Sequence, residues 1–256
     1  FTTTIIDCSN TGKISSLNGI SSGIISTNLR ENTESPNFCT ISGCFNSGEI
    51  LATAISFSFC GGITAYLTGS ISRCYNTGVI YSPNGYAGGI GAILKDNIGA
   101  DRPCNISDCY NTGNVLGSLF DISSYPNQYS GGIVGSLPSA GNISRCFNSG
   151  NISCTRSGGI CGYINNPTFG NSIFKEIYSC YNTGTITGQR NGGILGEFNY
   201  GFTINNSFKI RNCYNIGNST AGILNLDGSK PPNFEPFTLT NCFWKQGTAT
   251  YAVVSI

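Results

Sequence analysis

Apolar residues occur along this chain in short runs, most of them three to six residues long and bounded by Gly, Asn and Ser. Stretches such as "CYNTGNV" and "GGIVG" combine β-branched, aromatic and small residues. Such runs are typical of short strands, and no sustained helical period of hydrophobic positions is present. The pattern therefore predicts a chain built from many short β-strands.

Two sequence segments recur along the whole chain. The first resembles "DCYNTGNVLG" at residues 108–117, and its last copy, "NCFWKQGTAT" from Asn241, is degenerate. Its cysteines are 29 to 37 residues apart, at Cys8, Cys44, Cys74, Cys109, Cys146, Cys180, Cys213 and Cys242. The second is a "GGI" or similar triplet at Ser22, Gly61, Gly88, Gly131, Gly158, Gly192 and Ala221. A period of this size indicates a repeat architecture.

A parallel β-solenoid is the all-β fold that this period and these strand lengths predict, with one repeat per coil. We expect about eight coils of about three strands each, stacked roughly 4.8 Å apart over about 40 Å. Crossover chirality predicts a right-handed coil. The repeats cover residues 1–256, so we expect a single solenoid domain.

Stacking turns each repeat position into a column of equivalent residues. Strand side chains alternate between faces, so an inward Cys places the Asn two residues later inward as well. A buried Cys packs as a small apolar residue, and an inward Asn can bond turn groups and its copies in neighbouring coils. We therefore predict a structural ladder of Cys44, Cys74, Cys109, Cys146, Cys180, Cys213, Asn46, Asn76, Asn111, Asn148, Asn182 and Asn215.

The Gly that follows each Asn occupies the predicted turn, where a positive φ is expected. These glycines are Gly12, Gly48, Gly78, Gly113, Gly150, Gly184 and Gly217. An Ile or Leu stands three residues before each Cys, for example Ile106 before Cys109. An odd offset cannot place both on one face of a flat strand, so we expect a bend or bulge between them.

The aromatic residue after each Cys should face outward by the same alternation. These residues are Phe45, Tyr75, Tyr110, Phe147, Tyr181, Tyr214 and Phe243. A row of rings can bind sugar faces or another protein, or it can form a second core under covering loops. Both interpretations stay open, and the candidate binding residues are Tyr75, Tyr110, Tyr181 and Tyr214.

The residue before each Cys should also face solvent. Neighbouring coils carry Arg73, Asp108 and Arg145 there, which would alternate in charge along the column. Exposed pairs of this kind contribute only about 0.2–1 kcal/mol each, so the column would support the register more than the stability.

Composition limits the partners. Only 10% of residues are charged and the net charge is +1, which gives no electrostatic footprint for nucleic acid. No apolar run is long enough to span a bilayer and no signal-like segment is present. The opening "FTTTIIDC" lies inside a repeat, which suggests a mature product or a part of something longer.

Several kinds of chemistry are disfavoured. The chain has no histidine, which removes Ser-His-Asp and Cys-His catalysis and most zinc enzymes, and we expect no metal or cofactor. Asp7 and Asp108 share a repeat position but should lie roughly 14 Å apart, and Glu31 and Glu34 share one loop. Only one repeat offers the Thr-x-Thr that ice binding would require. We therefore expect no catalysis, with polysaccharide cleavage by two carboxylates as the enzymatic alternative.

Thirteen cysteines would ordinarily suggest disulfides outside the cell. Column neighbours would have parallel Cβ vectors, which suits a disulfide poorly, so most of the column should be buried thiols. The better disulfide or redox candidates lie off the column, at Cys39, Cys60, Cys104, Cys154 and Cys161.

The alternation of "CYNTG-x-I-x-G" with "GGIVG", as at Cys109–Gly117 and Gly131–Gly135, resembles the GLUG-motif repeats of large bacterial surface proteins. The resemblance covers nearly the whole chain. In that family, which includes adhesins and secreted immunoglobulin A metallopeptidases, the repeats are non-catalytic parts of extracellular regions. The last copy departs from the motif, because Trp244 replaces the Asn and Gln246 the Gly.

Together these features lead us to expect a non-enzymatic structural or adhesive module, located outside the cell or on its surface. The alternative is a glycan-binding or polysaccharide-processing β-helix protein. Both ends are strand-like and nearly uncharged, so we expect a head-to-tail contact with a second copy or further domains of a longer chain. Surface glycans or host proteins are the other expected partners.

Overall fold

The computed structural model describes most of the chain. The described residues are 2–17, 19–27, 38–53, 57–94, 103–119, 128–137, 141–165, 175–199, 208–226, 237–245 and 251–255. All regular structure in them is β-strand. No helix long and apolar enough to cross a membrane occurs in these ranges.

The strands form four parallel sheets. The isoleucine sheet precedes each anchoring Cys and comprises Thr2–Ile6, Phe38–Ser42, Gly69–Ser72, Cys104–Ser107, Gly141–Ser144, Lys175–Tyr178, Phe208–Arg211 and Phe237–Thr240. The asparagine sheet follows the Cys and comprises Ser9–Asn10, Phe45–Asn46, Tyr75–Asn76, Tyr110–Asn111, Phe147–Asn148, Tyr181–Asn182, Tyr214–Asn215 and Phe243–Trp244. The third sheet comprises Ile14–Ser16, Ile50–Ala52, Ile80–Tyr81, Val115–Leu116, Ile152–Ser153 and Ile186–Thr187.

The fourth sheet, here called the glycine sheet, has two limbs on either side of the "GGI" triplet. Its first limb comprises Ile20–Ser22, Ser58–Gly61, Gly85–Gly88, Tyr129–Gly131, Arg156–Gly158 and Arg190–Gly192. Its second limb comprises Ile25–Thr27, Thr64–Leu67, Gly91–Leu94, Val134–Leu137, Cys161–Asn165 and Leu195–Asn199. The strand Ala221–Leu226 pairs with both limbs and with Tyr251–Ser255, which joins them into one sheet.

The predicted parallel β-solenoid is confirmed, and the isoleucine and asparagine sheets each contain eight strands, one per coil. Equivalent residues pair directly, as in Ile71 with Ile106 and Asn76 with Asn111. The repeat length varies without disturbing this register, because the paired segments keep constant lengths and the extra residues lie between them. The predicted handedness of the coil stays a prediction.

The prediction of about three strands per coil is wrong, because a typical coil contains five short strands. The predicted bend before the Cys is confirmed, and it is sharp enough to separate two strands. The residue there has a left-handed backbone, with φ of 51° at Arg73, 56° at Asp108 and 49° at Arg145. The "GGI" triplet likewise divides the glycine sheet into its two limbs.

Two hydrophobic clusters fill the coil. The larger joins the isoleucine column and the anchoring cysteines to the Ile of each "GGI" and the Leu of the second limb, such as Leu67 and Leu94. The smaller joins the third sheet to the first limb, for example Ile80 and Val115 to Cys60. Burial of these columns supplies the main driving force of the fold, since each side chain removes apolar surface from water.

The two repeated segments meet inside the coil, where the second Gly of each "GGI" packs on an Asn. A Cβ added to Gly132 would lie 2.3 Å from Asn148 Cγ and 2.2 Å from the Gly159 carbonyl oxygen. The same contact joins Gly89 to Asn111 and Gly159 to Asn182. Gly is therefore required at this position because the amide of the Asn fills the space of a side chain.

From the second coil onwards, the Gly two residues after each Asn serves close stacking rather than a positive φ, which corrects the sequence-based expectation. None of Gly12, Gly48, Gly78, Gly113, Gly150, Gly184 and Gly217 has a positive φ. A Cβ on Gly113 would instead lie 2.0 Å from the carbonyl oxygen of Gly78 in the preceding coil. The backbones of successive coils approach so closely here that only Gly fits.

Replacing Gly132 with Ala should destabilise the protein by about 1–3 kcal/mol, since the new methyl group would displace both Asn148 and a backbone carbonyl. Urea unfolding followed by circular dichroism measures the change. Gly12→Ala is the matched control, because its Cβ would meet only Asn10 Oδ1 at 3.8 Å. Equal stability of the two variants would contradict the packing of Gly132 on the Asn.

Candidate binding face

The anchoring cysteines hold the bend from the isoleucine sheet to the asparagine sheet. The thiol of Cys109 donates to the carbonyl of Ser107 at 3.1 Å, across the left-handed Asp108. The sulfur of Cys109 also accepts the backbone N–H of Cys74 in the preceding coil at 3.4 Å. The same donation recurs at Cys44, Cys74, Cys146, Cys180 and Cys213. The carbonyl of Ser107 also accepts the backbone N–H of Arg73 at 3.1 Å, so the thiol adds a second hydrogen bond to a carbonyl that is already paired.

The Asn side chains form one continuous hydrogen-bonded column. Each Nδ2 donates to the Oδ1 of the Asn in the next coil at 2.7–2.8 Å, from Asn10 to Asn215. Each Nδ2 also donates to the carbonyl of the Gly two residues later at 2.7–2.9 Å. Both amide hydrogens are therefore used, and Asn46 to Asn215 are fully buried.

The aromatic residues form a second ladder on the outer side of the same strands. Successive ring centroids from Phe45 to Tyr214 are 4.8–5.1 Å apart and the rings are parallel within 7°. Offset or parallel aromatic pairs contribute about 0.5–1.5 kcal/mol each beyond the area they bury. Burial and the neighbouring Tyr75 raise the pKa of Tyr110, so its hydroxyl stays protonated at neutral pH. The ladder presents ring edges and hydroxyl groups to solvent.

The four predicted binding residues differ in their position within this stack. Tyr75, Tyr110 and Tyr181 lie within the stack, and each has neighbouring rings against both faces. Tyr214 is the last ring of the stack and is 41% exposed. A sugar needs a free ring face to pack on, so the interior tyrosines are poorly placed for that purpose.

Two polar columns flank the aromatic ladder. On one side lie exposed hydroxyls such as Thr77, Thr112 and Thr183. On the other, Arg145 binds Asp108 through two bonds of 2.6 and 2.7 Å and holds the pKa of that carboxyl below its usual value. Arg73 instead donates to Ser42 Oγ at 2.8 Å, so the predicted three-residue charge alternation is reduced to one direct pair.

A second aromatic cluster lies between the two limbs of the glycine sheet, and the sequence analysis missed it. Tyr129 packs on Tyr163 with ring centroids 4.1 Å apart. Glu197 accepts from the Tyr129 hydroxyl at 3.1 Å and lies 2.9 Å from Arg156 Nε and 3.5 Å from Arg190. The sequence does contain a pattern that could have indicated this cluster. In five successive coils the residue two positions before "GGI" is aromatic or Arg, namely Phe59, Tyr86, Tyr129, Arg156 and Arg190.

Glu197 and Arg156 in this cluster are almost completely buried, with side chains 2% and 7% exposed. A buried carboxylate beside two guanidinium groups is a compensated charge, and breaking it would leave a charge without its partner. Because Glu197 does not reach solvent, the cluster holds the two limbs together and does not present a carboxylate to a substrate.

The off-column disulfide candidates are not bonded to one another, since all thirteen cysteines are free thiols. Cys39, Cys60, Cys104, Cys154 and Cys161 are all buried. The strand register explains why these cysteines form no disulfide. Gly69 lies between Cys39 and Cys104 in the stack of coils. Cys60 lies beside Ala87 of the next coil. Cys161 pairs with Val134 and Leu195.

The remaining acidic candidates do not converge. Asp7 and Asp108 lie on the exposed corner before the Cys. Glu31 and Glu34 lie outside the described residues. Within the described ranges, no group of three or more Cys, Asp or Glu residues is placed to hold a metal ion.

The chain was compared with known proteins. No protein-family model matches it, and no curated protein matches its sequence. A solved structure does match, the crystal structure of a "putative immunoglobulin A1 protease" from Bacteroides ovatus, with a TM-score of 0.53 and 19% identity. The match covers 93% of this chain and 66% of that chain, so the chain spans just under two thirds of the neighbour's length.

This likeness shows the fold. It also corrects the expectation that the chain is not an enzyme, because the matching architecture belongs to a protein described as a protease. That expectation is withdrawn, although at this identity the neighbour's activity is not transferred to the chain.

Replacing Asn111 with Ala should destabilise the protein by about 1–3 kcal/mol. The change removes the donor to the Gly113 carbonyl, the acceptor of one Asn76 Nδ2 hydrogen and the donor to Asn148 Oδ1. Urea unfolding measures the loss. Thr112→Ala, at the exposed neighbouring position, should change stability by only a few tenths of a kcal/mol. A similar small change for Asn111→Ala would show that solvent replaces the ladder.

The cysteines should differ in their reaction with an aromatic disulfide reagent in the native state. Cys8 is exposed and Cys242 half-buried, whereas the others are buried. Burial also raises the pKa of Cys60 to about 11, and the thiolate is the reactive form. The hydrogen bond with Cys213 and burial also raise the pKa of Cys242. Cys8 should therefore react first and Cys242 more slowly, and all thirteen thiols should react after unfolding.

The same pKa shift makes stability depend on pH. The folded pKa of Cys60 lies above its unfolded value, so the stabilisation is complete below about pH 8.5 and is lost as the pH rises towards 11. Cys60→Ala, which copies Ala87 of the next coil, should make this decline shallower in urea unfolding under reductant. An unchanged slope would exclude Cys60 as a cause.

Proposed function

We propose that this chain is a rigid β-solenoid region of an extracellular bacterial surface protein, serving as a stalk or adhesive module. The observation that supports this most directly is the uninterrupted Asn ladder. It uses the same buried residue in successive coils and makes the solenoid one continuous hydrogen-bonded rod. Because the repeated residues stabilise the stacking of the coils, the solenoid is suited to act as a stalk that holds an attached region away from the cell surface.

Two further points favour an extracellular location. The two repeated segments resemble GLUG-motif repeats, which occur in extracellular regions of bacterial surface proteins. The structural neighbour is described as a putative immunoglobulin A1 protease of Bacteroides ovatus, and immunoglobulin A1 is an extracellular protein. If this chain is likewise part of a secreted enzyme, the solenoid positions another region relative to its substrate.

The head-to-tail filament remains a weaker proposal. In the last coil Trp244 stands where the other coils have Asn, and Asn215 donates to Ser219 Oγ at 3.1 Å instead of to a further Asn. A second copy stacked on this end would meet an indole ring where its own ladder needs an amide. The Asn column therefore does not continue across such a contact.

Antibodies raised against the purified chain should label intact cells that produce it, and brief protease treatment of those cells should remove the label. Antibodies against a cytoplasmic protein provide the control for cell integrity. Labelling that appears only after permeabilisation would contradict the proposal.

A further inference from the structure

The outer aromatic column has an order of residues that stacking alone does not require. Along the coils its members are Phe45, Tyr75, Tyr110, Phe147, Tyr181, Tyr214 and Phe243. Phe–Tyr and Tyr–Tyr neighbours stack alike, with ring centroids 4.8–5.1 Å apart from Phe45 to Tyr214. Each tyrosine of the column therefore has one tyrosine neighbour, and a phenylalanine separates the two tyrosine pairs.

The rings of each tyrosine pair lie face to face in neighbouring coils. The centroids of Tyr75 and Tyr110 are 4.8 Å apart with an interplanar angle of 0°, and those of Tyr181 and Tyr214 are 4.8 Å apart with an angle of 2°. The strand register pairs the two residues directly in both cases. Two reactive groups held together in this way react with each other as if in one molecule, without a diffusional encounter.

The position of the two pairs on the outer face makes them accessible to an oxidant. Tyr75, Tyr110 and Tyr181 are partly exposed and Tyr214 is exposed, so their hydroxyls can release a proton to water. Coupling also requires the rings to turn until their edges meet, and the torsion that turns a tyrosine ring is soft. On the outer face this movement takes place towards solvent and not inside a packed core.

The tyrosine stack in the buried Glu197 cluster lacks this freedom. Tyr129 is only 5% exposed and packs between Tyr86 and Tyr163. Its hydroxyl donates to Glu197 at 3.1 Å. An oxidant in solvent therefore reaches the outer tyrosine pairs before it reaches this stack.

We propose that the pairs Tyr75–Tyr110 and Tyr181–Tyr214 are modification sites, at which hydrogen peroxide and a haem peroxidase join neighbouring coils through dityrosine. Each phenol gives up one electron and its hydroxyl proton, and the two tyrosyl radicals form a carbon–carbon bond between the ring positions ortho to the hydroxyls. The hydrogen on each of these carbons then moves to the neighbouring oxygen and restores the phenol. The pair loses two hydrogen atoms, and hydrogen peroxide is reduced to two molecules of water.

The cross-links would join the third coil to the fourth and the sixth to the seventh. Coupling would stop at pairs, because Phe45 and Phe147 on either side of the first pair have no hydroxyl to oxidise. A covalent link between two coils closes the chain between them and restricts the unfolded state, as a disulfide does. The modification would thus strengthen the stacking that the Asn ladder already provides.

The test treats the full chain with a haem peroxidase and hydrogen peroxide under reductant-free conditions. Dityrosine is measured by its fluorescence and is located by mass spectrometry of proteolytic fragments. We expect two cross-links per chain, at the two outer pairs, each with the loss of two hydrogen atoms. Because the coupled rings belong to one molecule, the yield per chain should not depend on protein concentration.

Substitutions by Phe separate the two sites without disturbing the stack, since Phe already occupies other positions of the column. Tyr110→Phe should remove the first cross-link and keep the second, and Tyr181→Phe should do the reverse. The double variant should lose both. Tyr81→Phe is the matched control, because Tyr81 is partly exposed but lies between Leu51 and Leu116 in the strand register. Its yield of dityrosine should equal that of the unmodified sequence.

Circular dichroism of each variant verifies the fold before oxidation. An unchanged dityrosine yield in the double variant would overturn the proposal, as would cross-links confined to Tyr129 and Tyr163 or formed only between chains. Absence of dityrosine from the native chain, under conditions in which free tyrosine couples, would also overturn it. None of these results bears on cell-surface labelling, so the cross-linking sites and the proposed surface role are tested separately.

Discussion

The contact between the Asn ladder and the paired glycines is the constraint on which the rest of the structure depends. The amide of each Asn joins its coil to the next and also occupies the space beside the second Gly of a "GGI" triplet. The two repeated segments are thus the two sides of one interior contact. Because the contact recurs at each step, stability is distributed as interactions between neighbouring coils, as expected for a quasi-one-dimensional fold.

The columns around this contact follow from it. Once the Asn points inward, the Cys two residues earlier points inward as well and its thiol bonds across the left-handed bend. The intervening aromatic residue must then point outward, where the coil spacing brings rings into parallel stacks. The outer ion pair of Arg145 with Asp108 adds little by comparison, because both side chains are largely exposed.

Residues that recur in every coil and residues that occur in one coil only have different roles. A ring in the middle of the stack has both faces covered by identical neighbours, so repetition itself removes it from ligand binding. The buried Glu197 cluster shows a different use of singular residues, since there the charges bind one another and hold the two limbs together.

The sequence by itself determined the parallel solenoid, the number of coils and the inward direction of Cys and Asn, because these follow from a period and from strict side-chain alternation. It did not determine the five strands per coil, the free state of the off-column cysteines or the cluster around Glu197. Those depend on which residues neighbouring coils bring together, such as Gly69 between Cys39 and Cys104. The role of each glycine was likewise decided by tertiary structure, since only stacking reveals whether a missing side chain serves a positive φ or the close approach of another coil.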